Sequence, residues 1–221
     1  MSRHILFDLD GTLIDSSRSI LAGFEAALAA NGATPKVPVD SRLIGPPLPE
    51  ALRILSGEED PARIALIARA FADYYDTEGY KASDAYAGVT DMLAALHAAG
   101  SVLHIATNKR YRPTERIVKW LGWDRWFSQV YAIDKLPEAR FVSKAAMIEH
   151  LMRHAQVPRE QAVYVGDRDE DRVAATANAL PFVLVSWGYG EYADLSAYDQ
   201  VAATPLALGR LLMGPGASAL T

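Results

Sequence analysis

Four short stretches of the chain are apolar at nearly every position: Ile5-Leu6-Phe7, Val102 to Ala106, Ala162 to Val165, and Phe182 to Val185. A half-buried strand would alternate apolar and polar residues. Continuous apolar runs of this length instead fit parallel strands covered on both faces. Amphipathic segments lie between and around the last three. "VTDMLAALHAAG" predicts a helix ending at Gly100, and "RPTERIVKWLG" one running from near Pro113 to near Gly122. "SKAAMIEHLMRHA" opens on Ser143, a good N-cap, and "DRVAATANA" follows the third strand. Strands alternating with helices predict an open α/β sheet. A strand at Gln200-Val201-Ala202 and a helix from Thr204 would complete it, and the tail "GPGASALT" is expected to be frayed.

The alternation breaks between about Ser16 and Ala85. There the pattern holds only helices and turns. "SRSILAGFEAALAANG" is amphipathic and stops at Gly32. A proline-rich loop leads to a short helix in "LPEALRILSG". "DPARIALIARAFADYYDTEG" carries Asp60 as N-cap, Pro61 in the first turn and Gly79 as stop. The expected organisation is a core of residues 1–15 and 86–221 with a helical domain, 16–85, inserted after the first strand.

Composition narrows the partners. A net charge of -5 argues against a nucleic-acid footprint or a polybasic membrane patch, and half of the 221 residues are hydrophobic, enough for a sizeable core. With no cysteine, disulfides, thiolate metal sites and cysteine nucleophiles are excluded. The start of the chain does not read as a signal peptide, and no apolar run approaches the roughly 20 residues of a membrane span. A cytoplasmic protein, monomeric or weakly dimeric, is expected.

In an open α/β sheet, ligands bind beyond the carboxyl ends of the strands. Asp8, Asp10, Gly11 and Thr12 follow the first strand, Thr107 and Asn108 the second, and Gly166, Asp167 and Asp171 the third. Lys144 opens the helix before that third strand. Asp8 and Asp10 are two apart on an extended chain, so they share a face about 6.5–7 Å apart along it. Burying such charge unpaired costs several kcal/mol, and a hard divalent cation would relieve it. Mg²⁺ suits a few carboxylates plus water and phosphate oxygens. Asp8 could then attack phosphorus, and Asp10 could serve as general acid and then base. Thr107, Asn108 and the Gly11 amide would hold phosphate oxygens, and Lys144 would add a compact positive charge.

"DLDGTLIDS", "TN" after a strand, a lysine opening a helix, and "GDRDED", in that order, resemble the four motifs of the haloacid dehalogenase superfamily of phosphatases. The resemblance spans nearly the whole chain and implies a Rossmann-like three-layer core, mostly parallel, with an α-helical cap. It implies Asp8 as nucleophile and Asp10 as acid/base. Mg²⁺ would be held by the Asp8 and Asp167 carboxylates and the Asp10 carbonyl. Asp171 would coordinate through water or orient Lys144. "IGPPLPEAL", "GDR" and "GYGEYADL" are similar to the phosphoglycolate-phosphatase-like and 5'-nucleotidase-like subgroup. Two positions depart. Arg168 stands where the wider family has a small polar residue, and Thr107-Asn108-Lys109-Arg110 replaces the Thr-Asn-Lys-Pro frequent in phosphoglycolate phosphatases. Dehalogenases lack the second aspartate of the first motif, so Asp10 favours phosphoryl chemistry.

Plainer roles compete at each position. Asp10-Gly11 alone is a common turn, and Thr107-Asn108 alone a helix cap. Lys144 in a first helical turn opposes the helix dipole, whereas Asp169 and Glu170 are favoured there. "WLGWDRWF" reads as core or cap-docking aromatics, and Tyr74-Tyr75 as cap packing. Asp15 with Ser16 and Ser17 reads as a helix start, and His150 and His154 as a charged helix face. The expected activity is Mg²⁺-dependent hydrolysis of a small phosphorylated metabolite. A sugar phosphomutase of the same superfamily, a phospho-receiver module and a non-catalytic binding homologue stay open. Arg18, Arg42 and Arg110 are candidates for a distal anionic group.

Overall fold

The computed structural model describes residues 3–44, 46–136 and 140–214. The chain divides into two compact units, one of residues up to Asp15 and from Ala85 onward, the other Ser16–Asp84. The expected fraying of the tail falls, but for Gly214, outside the described residues.

The larger unit is built on strand β1 (His4–Phe7). A two-residue strand β2 (Ile14–Asp15) precedes the exit of the chain into the second unit. That unit holds α1 (Ser17–Ala30), α2 (Leu48–Ser56) and α3 (Pro61–Thr77). Asp60 caps α3 by accepting from the Ala62 amide, as its position before Pro61 predicts. Phe24, Leu28, Ile67, Phe71 and Tyr75 are buried here, with Phe71 stacked on Tyr75 at 5.4 Å. Gly23 has no Cβ because Phe71 lies against it. The Tyr75 phenol meets the buried hydroxyls of Ser19 and Ser83, so these polar groups in the apolar packing satisfy one another.

The chain returns through β3 (Asp84–Ala85), which pairs with β2. It continues as α4 (Val89–Ala98), β4 (Val102–Thr107), α5 (Tyr111–Trp120), β5 (Phe127–Ala132) and α6 (Lys144–His154). Then come β6 (Ala162–Gly166), α7 (Asp169–Ala177), β7 (Phe182–Val185), β8 (Val201–Ala202) and α8 (Pro205–Met213). The strands form a parallel sheet in the order β5-β4-β1-β6-β7-β8. This is the expected Rossmann-like α/β core. Ile5, Leu6, Phe7, Leu103, Ile105, Val163, Tyr164 and Val165 are sealed inside it.

β5 was not among the expected strands. It is an edge strand carrying Ser128 and Gln129, so its burial is uneven and its apolar signal weak. The aromatic run before it divides: Trp123 is buried and Phe127 sits edge-on to Phe7, whereas Trp120 is exposed. Among the described residues, no helix is long and apolar enough to cross a membrane.

Candidate active site

Register brings the first and fourth motifs together. Phe7 pairs with Val165 on one side and Ile105 on the other. The Asp8 amide extends that ladder by donating to the Val165 carbonyl at 2.9 Å. The chain crosses to the other side of β1 after β5, so the ends of β4, β1 and β6 lie at the switch point where such sheets bind ligands.

Asp8, Asp167 and Asp171 are all buried, each with a carboxylate oxygen within 4.8 Å of the others. Lys144 Nζ stands 2.6 Å from Asp171 Oδ1 and 3.1 Å from Asp8 Oδ1. The second approach is an ion pair without hydrogen-bond alignment, and Asp8 Oδ1 is buried with no hydrogen-bond donor. Burial pushes the Asp8 carboxyl up to about 7; Lys144 opposes the rise, and Asp171, Asp167 and Asp10 add to it. Burial also raises Asp167, to about 6, helped by Asp171 and resisted by the Tyr189 amide. For Lys144, burial works against the charge, but Asp171 and Asp8 outweigh it and hold the ammonium well above the lysine range. Three buried carboxylates close together, one with an oxygen that no donor meets, could hold a cation. The donor set, hard oxygens only, fits Mg²⁺. Asp8, Asp167 and Asp171 are the carboxylates that could reach it. Asp171 is engaged on Lys144 and, at 3.1 Å, on the Arg168 amide.

Thr107 ends β4, buried, with its hydroxyl taking the Lys109 amide at 3.3 Å. Asn108 beside it is exposed. Gly11 differs from expectation. Its amide donates to the Ile14 carbonyl at 2.9 Å and is turned into the loop, so it is not presented as a phosphate donor. Gly11 supplies a positive φ of 81° and space: a Cβ there would collide with the Asp167 carboxylate and the Tyr189 ring. Of the three arginines considered for a distal anion, Arg42 is engaged by Asp40 at 2.6 Å. His150 and His154 stack at 6.3 Å among Tyr131 and Phe141, an aromatic cluster. Asp15 lies on β2 and accepts the Tyr189 hydroxyl at 2.8 Å.

Several residues have contacts at the site that the sequence reading did not give them. Lys109 Nζ holds both oxygens of Asp10, at 2.9 and 3.2 Å. Thr12 Oγ1 donates to Asp167 Oδ1 at 3.4 Å. The loop after β7 closes on Asp167 from the other side. The Tyr189 amide donates to its Oδ2 at 2.8 Å, and the Tyr192 hydroxyl donates to its carbonyl. Gly188 and Gly190 permit that approach, since a Cβ on either would strike Asp167. Trp187 Nε1 ties the loop to the Thr12 carbonyl at 3.1 Å. Neutral aromatics and glycines give no sequence signal for metal chemistry. Their one mark was the "GYGEYADL" string, which spoke of a subgroup and not of a role.

The model of the family described as "Haloacid dehalogenase-like hydrolase" matches residues 5–185. The tyrosine-protein kinase PtkA of Mycobacterium tuberculosis is 33% identical over 187 residues, 84% of this chain and 62% of that protein. The chain thus spans about three fifths of the length of that relative. A phosphoglycolate phosphatase of Xylella fastidiosa is 34% identical over 193 residues, covering 87% of this chain and 83% of that one. Among solved structures, a haloacid dehalogenase-like hydrolase of Streptococcus pneumoniae superposes with a TM-score of 0.81 at 28% identity, covering 94% and 96% of the two chains.

Proposed function

Because the chain belongs to the haloacid dehalogenase-like hydrolase family, we propose that it is a Mg²⁺-dependent phosphatase of small phosphate monoesters working through an aspartyl-phosphate. The observation that carries this is Asp8 Oδ1: a buried carboxylate oxygen with no hydrogen-bond donor, at the end of the central strand, beside a buried lysine.

Asp8, Asp167 and the Asp10 carbonyl would hold Mg²⁺, which when bound neutralises the cluster and lets a phosphate dianion approach it. Asp8 attacks phosphorus, the ester P–O bond breaks, and Asp10 gives its carboxyl proton to the departing oxygen. Water then attacks phosphorus, Asp10 takes its proton, and the bond to Asp8 breaks to release inorganic phosphate. Lys144, fixed by Asp171, and Thr107 counter the charge on the transferred group. In this reading residues 16–84 correspond to the family's helical cap.

The test is turnover of p-nitrophenyl phosphate with Mg²⁺, its loss in EDTA, its recovery on adding Mg²⁺ back, and a hydroxylamine-sensitive label on Asp8. Undiminished activity in EDTA overturns the metal; a label elsewhere overturns the nucleophile. Phosphoglycolate and nucleoside monophosphates, ranked by kcat/KM, would then narrow the substrate. The relation to PtkA favours a second reading, transfer of the phosphoryl group to a tyrosyl hydroxyl. Labelled tyrosine formed from γ-labelled ATP and a tyrosine polymer would select it.

A further inference from the structure

Asp10 has to aim one carboxyl group at two targets in turn, a leaving oxygen and a water. Proton transfer of this kind depends on the donor being held to about half an ångström. Asp10 is not buried as Asp8 is: its side chain is 19% exposed. Lys109 grips both oxygens of that carboxylate. Its ammonium spans both oxygens, at 2.9 and 3.2 Å, and is itself only 8% exposed. The backbone of Lys109 is pinned on both sides, its amide on the Thr107 hydroxyl and its carbonyl on the Ile133 amide, each at 3.3 Å. Thr107 ends β4 and Ile133 follows β5, so the grip is referenced to the sheet.

From this we infer that Lys109 is a positioning residue for the phosphatase reaction, setting the plane of the Asp10 carboxyl from the neighbouring strand. It acts through Asp10, so its effect grows with the need for a proton at the leaving oxygen. The inference rests on the acid/base role given to Asp10 above.

Lys109→Met keeps the length and removes the grip. Wild type and variant are compared on p-nitrophenyl phosphate, whose leaving group departs unaided, and on an alkyl phosphate, whose leaving group needs the proton. Loss in kcat/KM of about 10- to 100-fold is expected for the alkyl ester, and at least fivefold less for the aryl ester. In an Asp10→Asn background, Lys109→Met should change alkyl-ester turnover less than twofold. Equal losses on both esters, or full additivity with Asp10→Asn, overturn the inference. Normal alkyl-ester turnover by Asp10→Asn instead overturns the acid/base reading itself. A crippled Asp10→Asn enzyme beside a wild-type-like Lys109→Met overturns only the positioning role. Lys109→Gln, read the same way, replaces Lys109→Met where circular dichroism shows the latter misfolded.

Discussion

Two loops converge on Asp167, and they differ in almost everything else. The loop after β1, Asp8 to Thr12, brings two carboxylates, a glycine and a hydroxyl. The loop after β7 meets it through Trp187-Gly188-Tyr189-Gly190, an uncharged stretch ahead of Glu191. Yet Thr12 holds one oxygen of Asp167, and the Tyr189 amide holds the other. In the proposed reaction the first loop supplies the groups that react. The second supplies shape and one backbone donor, and fixes which way the Asp167 carboxylate points. Chemistry announces itself in charged side chains, whereas orientation can be carried by a backbone N–H that any residue possesses.

The division of labour can be broken by substitution. Asp8→Asn removes the proposed nucleophile and should lower phosphate-ester turnover by more than about 10⁴-fold with the fold intact by circular dichroism. Turnover near normal would leave the charged loop with no special standing. Gly188→Ala should come next. Its methyl meets the Gly11 carbonyl and the Asp167 side chain, one of which is backbone and the other buried, so neither yields cheaply. Mg²⁺ affinity by titration calorimetry should weaken about 10- to 100-fold. Urea unfolding should show a loss of about 1–3 kcal/mol. Unchanged affinity would reduce the neutral loop to packing. Tyr192→Phe takes away only the phenol that donates to the Asp167 carbonyl. A cost of about 0.5–1.5 kcal/mol in stability is expected, with Mg²⁺ affinity shifted by less than threefold. A larger shift in affinity would mean that the phenol, and not the Tyr189 amide, governs Asp167.

The same contrast explains what was legible in the sequence. β1, β4, β6 and β7 sit between neighbours in the sheet, and the continuous apolar runs mark them. β5, at the edge with Ser128 and Gln129, carries no such mark. That Asp8, Lys144, Asp167 and Asp171 lie together was legible from charge and place. Lys109 stood in the quoted second motif without a role, because its partner lies far off in sequence, at Asp10. Gly11 was named for the wrong reason. A glycine after a strand suggests an open amide, and only the fold shows that amide closed on Ile14 and the missing Cβ making room for Asp167.

The placement of β1 also bears on how the protein is made. Its four residues lie against 102–105 on one edge and 162–165 on the other. A ribosome must therefore deliver about a hundred residues before this apolar segment finds its first neighbour and about 160 before it finds the second, and until then its edges are open. Long-range pairing of this sort closes slowly and leaves sticky surface on view. The strand that leads into Asp8 is thus the one whose burial waits longest, which makes it the point where a chaperone has most to shield.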